Sequence, residues 1–297
     1  MGKQTNAQQL VQLDTAVAGP LFMLSAALLF TLLDFLIKLL DPKFTVWHIG
    51  FFRFFGSMLV LLTLFSRHNN PYKGHNIRLL IIRGCVGSVT FIFLVTAIRL
   101  LPVSTALVIF YSFPAFAAIF SFLIYGERIG KFEIACITVV VIGIGIFFDF
   151  YLAGGLFGLI MALVAGVFAG LTVTLIRTLR EKNGPVIIYL YFCTMGTLLT
   201  LPKFAMYPIL PSTAIEWAMT LGIIFSAVAG QLLMNQGFFY CRGWEGGVLM
   251  SSQAIFTAIV GIAFLGDPTT WRFWTGGLMI FSSVVALNRL KAKKRNI

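Results

Sequence analysis

Long apolar runs separated by short polar clusters set the architecture of this chain. The runs fall near 16–40, 46–65, 77–99, 103–125 and 132–148, and again near 155–176, 185–204, 217–239, 246–265 and 271–288. Each approaches the roughly 20 residues that a helix needs to cross a hydrocarbon core about 30 Å thick. Between them, SRHNNPYKGHN, RTLREKNG and GDPTT gather turn formers and charges that hydrocarbon rejects. The runs are apolar nearly all round, as helices between lipid and protein are. None shows the period-two alternation of a transmembrane strand. The pattern predicts an all-α membrane protein of ten transmembrane helices.

Composition agrees. Of 297 residues, 59% are hydrophobic and 11% charged, with mean hydropathy +0.95, against roughly 45–50% and 25% in soluble domains. Soluble enzymes, nucleic-acid readers and disulfide-stapled secreted folds are excluded on that ground. The net charge of +12 would suit a nucleic-acid partner in a soluble chain, but in a membrane chain Lys and Arg collect in cytoplasmic loops. With the N-terminus inside, fifteen of the 22 Lys and Arg fall on inner segments, and Lys38, Lys43, Arg99, Lys203 and Arg272 outside. Arg53 and Arg83 are left within spans. This bias predicts an even number of spans and both termini in the cytoplasm. The polar first fifteen residues carry no cleavable signal pattern. Cys85, Cys136, Cys193 and Cys241 lie far apart without metal-ligand or redox spacing and read as core residues. No cofactor and no metal are expected.

A shift of 140 residues lays the fourth span on the ninth without a gap. Val108, Ser112, Phe116, Ala118, Ile119 and Gly126 then meet Val248, Ser252, Phe256, Ala258, Ile259 and Gly266, and Glu127 meets Asp267. Five spans per half is an odd number, so duplicated halves enter the membrane in opposite senses, as in many secondary transporters. The expected organisation is a cytoplasmic segment 1–15, a five-helix repeat 16–148, a linker 149–154, a second repeat 155–288 and a basic cytoplasmic tail 289–297.

The stretch TAIRLLPVSTALVIFYSFPAFAAIFSFLIYGERIGKFEIACITVVVIGIGIFF resembles the EamA-type repeat of the drug/metabolite transporter superfamily. Pro enters the fourth span, small residues fill it, and Gly-Glu precedes the next helix. HIGFFRFFGSML and LLIIRGCVGSVTF further resemble the G subgroup of solute carrier family 35, through an FFR run and an Arg-Gly segment with a nearby Gly-Ser. The second half departs from this pattern, with GD for GE and Arg242 where the first half has Pro102. The resemblance implies two inverted five-helix repeats around a cavity lined largely by spans three, four, eight and nine. It also implies secondary transport of small organic solutes, which the fold alone does not specify.

Charges inside spans are the most informative residues, because each costs about 2.5–3.5 kcal/mol or more near a helix centre. Asp34 and Arg53 fall at matching depth on antiparallel spans, which predicts an Asp34–Arg53 ion pair. Lys38, one turn from Asp34, either competes for it or snorkels outward. Arg83 has no acid near it: it either faces a cavity, where its fork suits a carboxylate or phosphate, or reaches the headgroups. Arg53 carries the same ambiguity.

Polar groups near mid-span form a second tier of candidates: Thr90, Tyr111, Ser112, Tyr189, Gln231, Asn235, Ser252 and Gln253, with Ser251, Gln236 and Tyr191 beside them. Each either binds solute or bonds a neighbouring helix. Pro114 removes a backbone hydrogen bond from span four and leaves a carbonyl available. Phe91 and Phe110 are candidate cavity walls. Trp47, Trp217, Trp271 and Trp274 sit where interfacial anchors belong. Gly166 and Gly170 form a small-residue face for internal packing or a dimer. Glu127 and Asp267 read as caps or loop anchors.

The favoured solute is an organic anion or carboxylate metabolite moved by alternating access; amino acids or amphipathic cations, exported past aromatics and amides, are the alternative. Proton coupling has one deep acid to work with, and the expected Arg53 partner silences it. An intramembrane lipid-modifying enzyme lacks a visible constellation, since His48, His68 and His75 form no metal-binding pair. A channel lacks a filter motif. The expected partners are a small-molecule solute and membrane lipids, with no nucleic acid, as a monomer or homodimer. The expected location is a bacterial inner membrane.

Overall fold

The computed structural model describes the backbone of residues 3–65, 72–126, 130–147, 155–240 and 243–295. Among the described residues there are eleven helices and no strands. They are α1 (Lys3–Leu39), α2 (Val46–Phe65), α3 (Ile77–Leu100), α4 (Val103–Phe110), α5 (Phe113–Tyr125), α6 (Lys131–Phe147), α7 (Gly155–Arg180), α8 (Pro185–Met206), α9 (Ala214–Tyr240), α10 (Gly243–Leu265) and α11 (Trp271–Arg295). Helix α1 thus runs back through the segment expected to precede the first span.

Among the described residues seven stretches are long and apolar enough to cross a membrane: Ala18–Leu39, Val46–Phe65, Ile77–Leu100, Val103–Tyr125, Gly155–Arg180, Pro185–Met206 and Ala214–Gly237. Shorter apolar stretches, Ile134–Gly143 and Leu249–Leu265, accompany them. Their outward faces carry large bare apolar side chains such as Leu28, Leu64, Leu123, Phe225 and Leu278. Water would not tolerate that surface, and the chain is an integral membrane protein. Trp217, Trp271 and Trp274 are exposed in the first turns of α9 and α11.

Val103–Tyr125 is broken at Tyr111–Ser112, where Pro114 stands in the first turn of α5. The break is packed rather than bare. A Cβ on Gly166 of α7 would meet the Phe110 carbonyl at 3.2 Å, and one on Gly170 would meet Ala117 N at 2.7 Å. The small-residue face of α7 is therefore spent inside the chain, letting backbone approach backbone.

The helices pair in a regular way. Helix α1 lies along α9 and α10, α3 along α7 and α8, α7 along α4 and α5, α2 along α8 and α9, and α6 along α11. Gly126 and Gly266, which the 140-residue shift superposes, both take φ +66°, a left-handed turn closed to most side chains.

Three contacts tie loops to helix ends. Lys38 donates to the Ile98 and Leu101 carbonyls at 2.9 and 2.7 Å, at the end of α3. Arg99 returns the favour, donating to Leu40 at 2.6 Å, Phe44 at 2.7 Å and Asp41 at 2.9 Å past the end of α1. Each cation satisfies carbonyls that a helix C-terminus leaves orphaned. Lys38 thus neither competes for Asp34 nor reaches outward.

Asp267 Oδ2 accepts from Ser104 N at 2.8 Å and Ser104 Oγ at 2.6 Å, capping α4 from the other half of the chain. Glu127, which the 140-residue shift lays on it, lies outside the described residues. An Asp267→Ala variant is expected to destabilise by about 1 kcal/mol, the usual worth of a lost N-cap. A lowered midpoint in detergent thermal unfolding, with Asp267→Asn between it and wild type, would check this.

Candidate functional site

Helices α2, α3 and α8 converge on one ring, Phe192. The Arg83 guanidinium carbon lies 4.5 Å from its centroid and that of Arg53 lies 5.4 Å from it. Arg53 also stands 4.0 Å from the Phe91 ring and 5.2 Å from that of Phe54. The three rings brace one another edge to face, Phe54 lying 5.2 Å from Phe91 and 5.1 Å from Phe192. Cation–π contacts of this kind are worth about 2 kcal/mol when desolvated.

Glycines make this convergence fit. A Cβ on Gly87 would meet the Phe192 ring at 3.0 Å, one on Gly84 would meet Met195 at 2.7 Å, and one on Gly196 would meet Phe54 at 2.4 Å. Helix α8 therefore approaches α2 and α3 closely enough for two cations to share one ring.

Both arginines are deeply buried, at 5% and 2% exposure. Nε and Nη1 of each have no hydrogen-bond partner, and among the described residues no carboxylate pairs with either. Burying an unpaired charge is costly, and rings satisfy a cation's field without occupying its donors. The hydroxyl of Tyr189, one turn before Phe192, donates to Ser57 Oγ at 3.0 Å. Phe54, Phe192 and Ser57 were not visible as candidates. The FFR run and the Tyr189–Phe192 spacing in YLYF are the signals that lead to them.

The expected Asp34–Arg53 ion pair does not form. Asp34, 2% exposed, instead accepts from Gln253 Nε2 at 2.7 Å. Gln253 Oε1 in turn accepts from the Tyr111 hydroxyl. The reason is direction rather than depth: α1 lies along α10, so Asp34 faces Gln253. Arg53, turned toward α3 and α8, is taken by the rings. The two charges still lie within electrostatic range of each other, as do Arg53 and Arg83.

The other predicted site residues divide. Thr90 and Ser252 return their hydroxyls to their own helices, at the Val86 and Leu249 carbonyls, and Ser112 in the α4–α5 break returns its own to the Ile109 carbonyl of α4. Asn235 donates to the Pro185 carbonyl at 3.3 Å, while its Oδ1 and Gln231 Nε2 are buried without partners. Tyr191 donates to the Tyr72 carbonyl at 3.0 Å. His48 joins Thr45 to the Tyr207 carbonyl, and His75 is held through its backbone by Asn183. His68 and Cys241 lie outside the described residues. Among the described residues no group of His, Cys, Asp or Glu is fit to hold a metal, and Cys85, Cys136 and Cys193 form no disulfide.

An apolar crevice opens sideways between α4, α10 and α11, lined by Val108, Ala254, Ala258, Phe273 and Trp274, with Tyr111 on its wall. The charged cluster draws instead on α1, α2, α3, α8, α10 and the α4–α5 break, so it takes in three of the four spans that the resemblance emphasises, omits α9 and adds three others.

The sequence pattern of a family of membrane transporters covers this helical bundle. The chain belongs to the EamA-like transporter family, whose sequence pattern matches residues 17–148 and again 156–289. It is a transporter, not an enzyme. It is 26% identical over 289 residues to the pseudopaline exporter CntI of Pseudomonas aeruginosa strain UCBPP-PA14, covering 94% of this chain and 99% of that protein. It is 24% identical over 286 residues to human solute carrier family 35 member G1, covering 90% and 78%. A solved crystal structure at 16% identity superposes with TM-score 0.62 over 94% of this chain and 99% of that one, a likeness of fold.

Proposed function

We propose that this transporter moves a small organic anion, a carboxylate metabolite above all, held by Arg53 and Arg83 during alternating access. One observation carries the reading: two buried guanidiniums stacked on Phe192 keep Nε and Nη1 unpaired. An anion of planar geometry supplies what those donors lack. Aromatic rings that would recognise a cationic solute, Phe54, Phe91 and Phe192, already face arginines. That argues against the amphipathic-cation alternative.

The frame we propose is ten spans in two inverted five-helix repeats, with α4 and α5 forming one span. The twofold match of the family pattern supports it. So do the principal helix pairs, which map onto one another when α1, α2, α3, α4–α5 and α6 are exchanged with α7, α8, α9, α10 and α11. The bias of basic residues supports cytoplasmic termini. The similarity to a bacterial pseudopaline exporter supports export across a bacterial inner membrane. Use of Gly166 and Gly170 inside the chain supports a monomer.

Counterflow in proteoliposomes tests the solute class. Dicarboxylates and other organic anions are expected to show saturable exchange, while amino acids and quaternary amines show none. Saturable exchange confined to the amines would overturn the reading.

A further inference from the structure

We infer that Asp34 is a proton-binding site, and that a proton there and an anion at Arg53 and Arg83 are taken up together. The second half of this inference rests on the anion reading above; the first does not.

The geometry of Asp34 is that of a group able to exist in two charge states. It is 2% exposed and receives a single neutral donor, Gln253 Nε2 at 2.7 Å, on Oδ2. Among the described residues no cation forms an ion pair with it. Tyr111 occupies Gln253 Oε1 and so fixes the amide with its NH2 group toward Asp34. A carboxylate and a carboxylic acid both accept through Oδ2, so the same contact survives when a proton sits on Oδ1. The proton arrives from water and returns to it; no other bond changes.

The groups around Asp34 leave it without a standing counter-ion. On α1 itself, Lys38 is engaged by the Ile98 and Leu101 carbonyls. From α3, Arg99 is engaged beyond the end of α1, and Arg83 lies against Phe192. Helix α9, the principal neighbour of α1, carries ionisable groups only at its ends, Glu216 and Tyr240, and Glu216 is paired with Lys43. From α10 comes Gln253, with Glu245 near that helix's start, and from the α4–α5 break Tyr111. Across the gap from α2 stands Arg53, within electrostatic range but not in contact.

That last relationship sets the sign of the coupling. Charged Asp34 and a bound anion compete for the field of Arg53 and repel each other. Protonation of Asp34 removes the repulsion and leaves the positive pair to the solute. Linkage is reciprocal, so an anion at the arginines must also strengthen proton binding at Asp34. Proton and anion therefore favour the same loaded state.

Two measurements on the full-length protein test this separately. The first needs no ligand: infrared difference spectra titrated between roughly pH 5 and 9 are expected to show a protonated-carboxyl band that disappears with rising pH. That band is absent in Asp34→Asn, and its midpoint moves in Tyr111→Phe, which frees the Gln253 amide to turn. A wild-type spectrum without such a band, or one unchanged in Asp34→Asn, overturns the proton site.

The second uses succinate, above its own titration range, added to weakly buffered wild-type protein. Net proton uptake on binding is expected, with affinity falling about tenfold per pH unit where Asp34 is charged; Asp34→Asn binds with a flat profile. Binding without proton uptake overturns the coupling. Absence of any binding by succinate or by inorganic phosphate overturns the anion reading, and the infrared band still decides the proton site.

Discussion

Arg83→Ala is expected to lose anion transport by about a hundredfold or more while the protein remains folded. Removing one partner of a desolvated, hydrogen-bonded charge pair costs about 2–5 kcal/mol, which is roughly thirty- to several-thousandfold in rate or affinity. The guanidinium stands over the Phe192 ring with Nε and Nη1 unpaired. The substitution therefore removes a buried unpaired charge from the unloaded protein, and its thermal midpoint should hold or rise. Arg83→Lys keeps the charge but not the planar fork and should fall between the two. Proteoliposome flux read beside thermal unfolding separates the cases: a joint loss of flux and stability would make Arg83 a packing residue.

Gly196→Leu is the second large effect. A Cβ there would already stand 2.4 Å from Cγ of Phe54, and no turn of that ring clears a branched side chain. Either α8 withdraws from α2, or Phe54 swings off its contacts with Phe91, Phe192 and Arg53. Overpacking of this kind costs about 1–3 kcal/mol, and either response breaks the cage, so transport should fall with stability. Phe54→Leu on the Gly196→Ala background should recover part of both, because the two positions share one volume. Independent, additive losses in unfolding midpoints would count against the contact.

The helical runs were legible because hydrocarbon leaves few other ways to satisfy a backbone. The spans read at 46–65 and 103–125 coincide with α2 and with α4 plus α5, and Pro114 marks the break between them. Depth along a helix was legible too, which is how Asp34 and Arg53 came to be matched. Azimuth was not: the runs are apolar all round, so nothing in them says that Asp34 looks toward α10 and Arg53 toward α8. Hydroxyls misled for a related reason. Thr90 and Ser112 look like free polar groups in a sequence, yet each has a carbonyl of its own helix within reach. Phe192 stayed hidden because one ring among 31 phenylalanines carries no mark of what it will face.

The crossed grip of Lys38 and Arg99 has a mechanical corollary. With each cation clasping carbonyls at the end of the other helix, α1 and α3 are cross-linked there. Asp34 lies a single turn from that cross-link, whereas Gln253 belongs to α10. A tilt that parts α1 from α10 would have to break the hydrogen bond from the Gln253 amide to the acid, whatever the acid's charge.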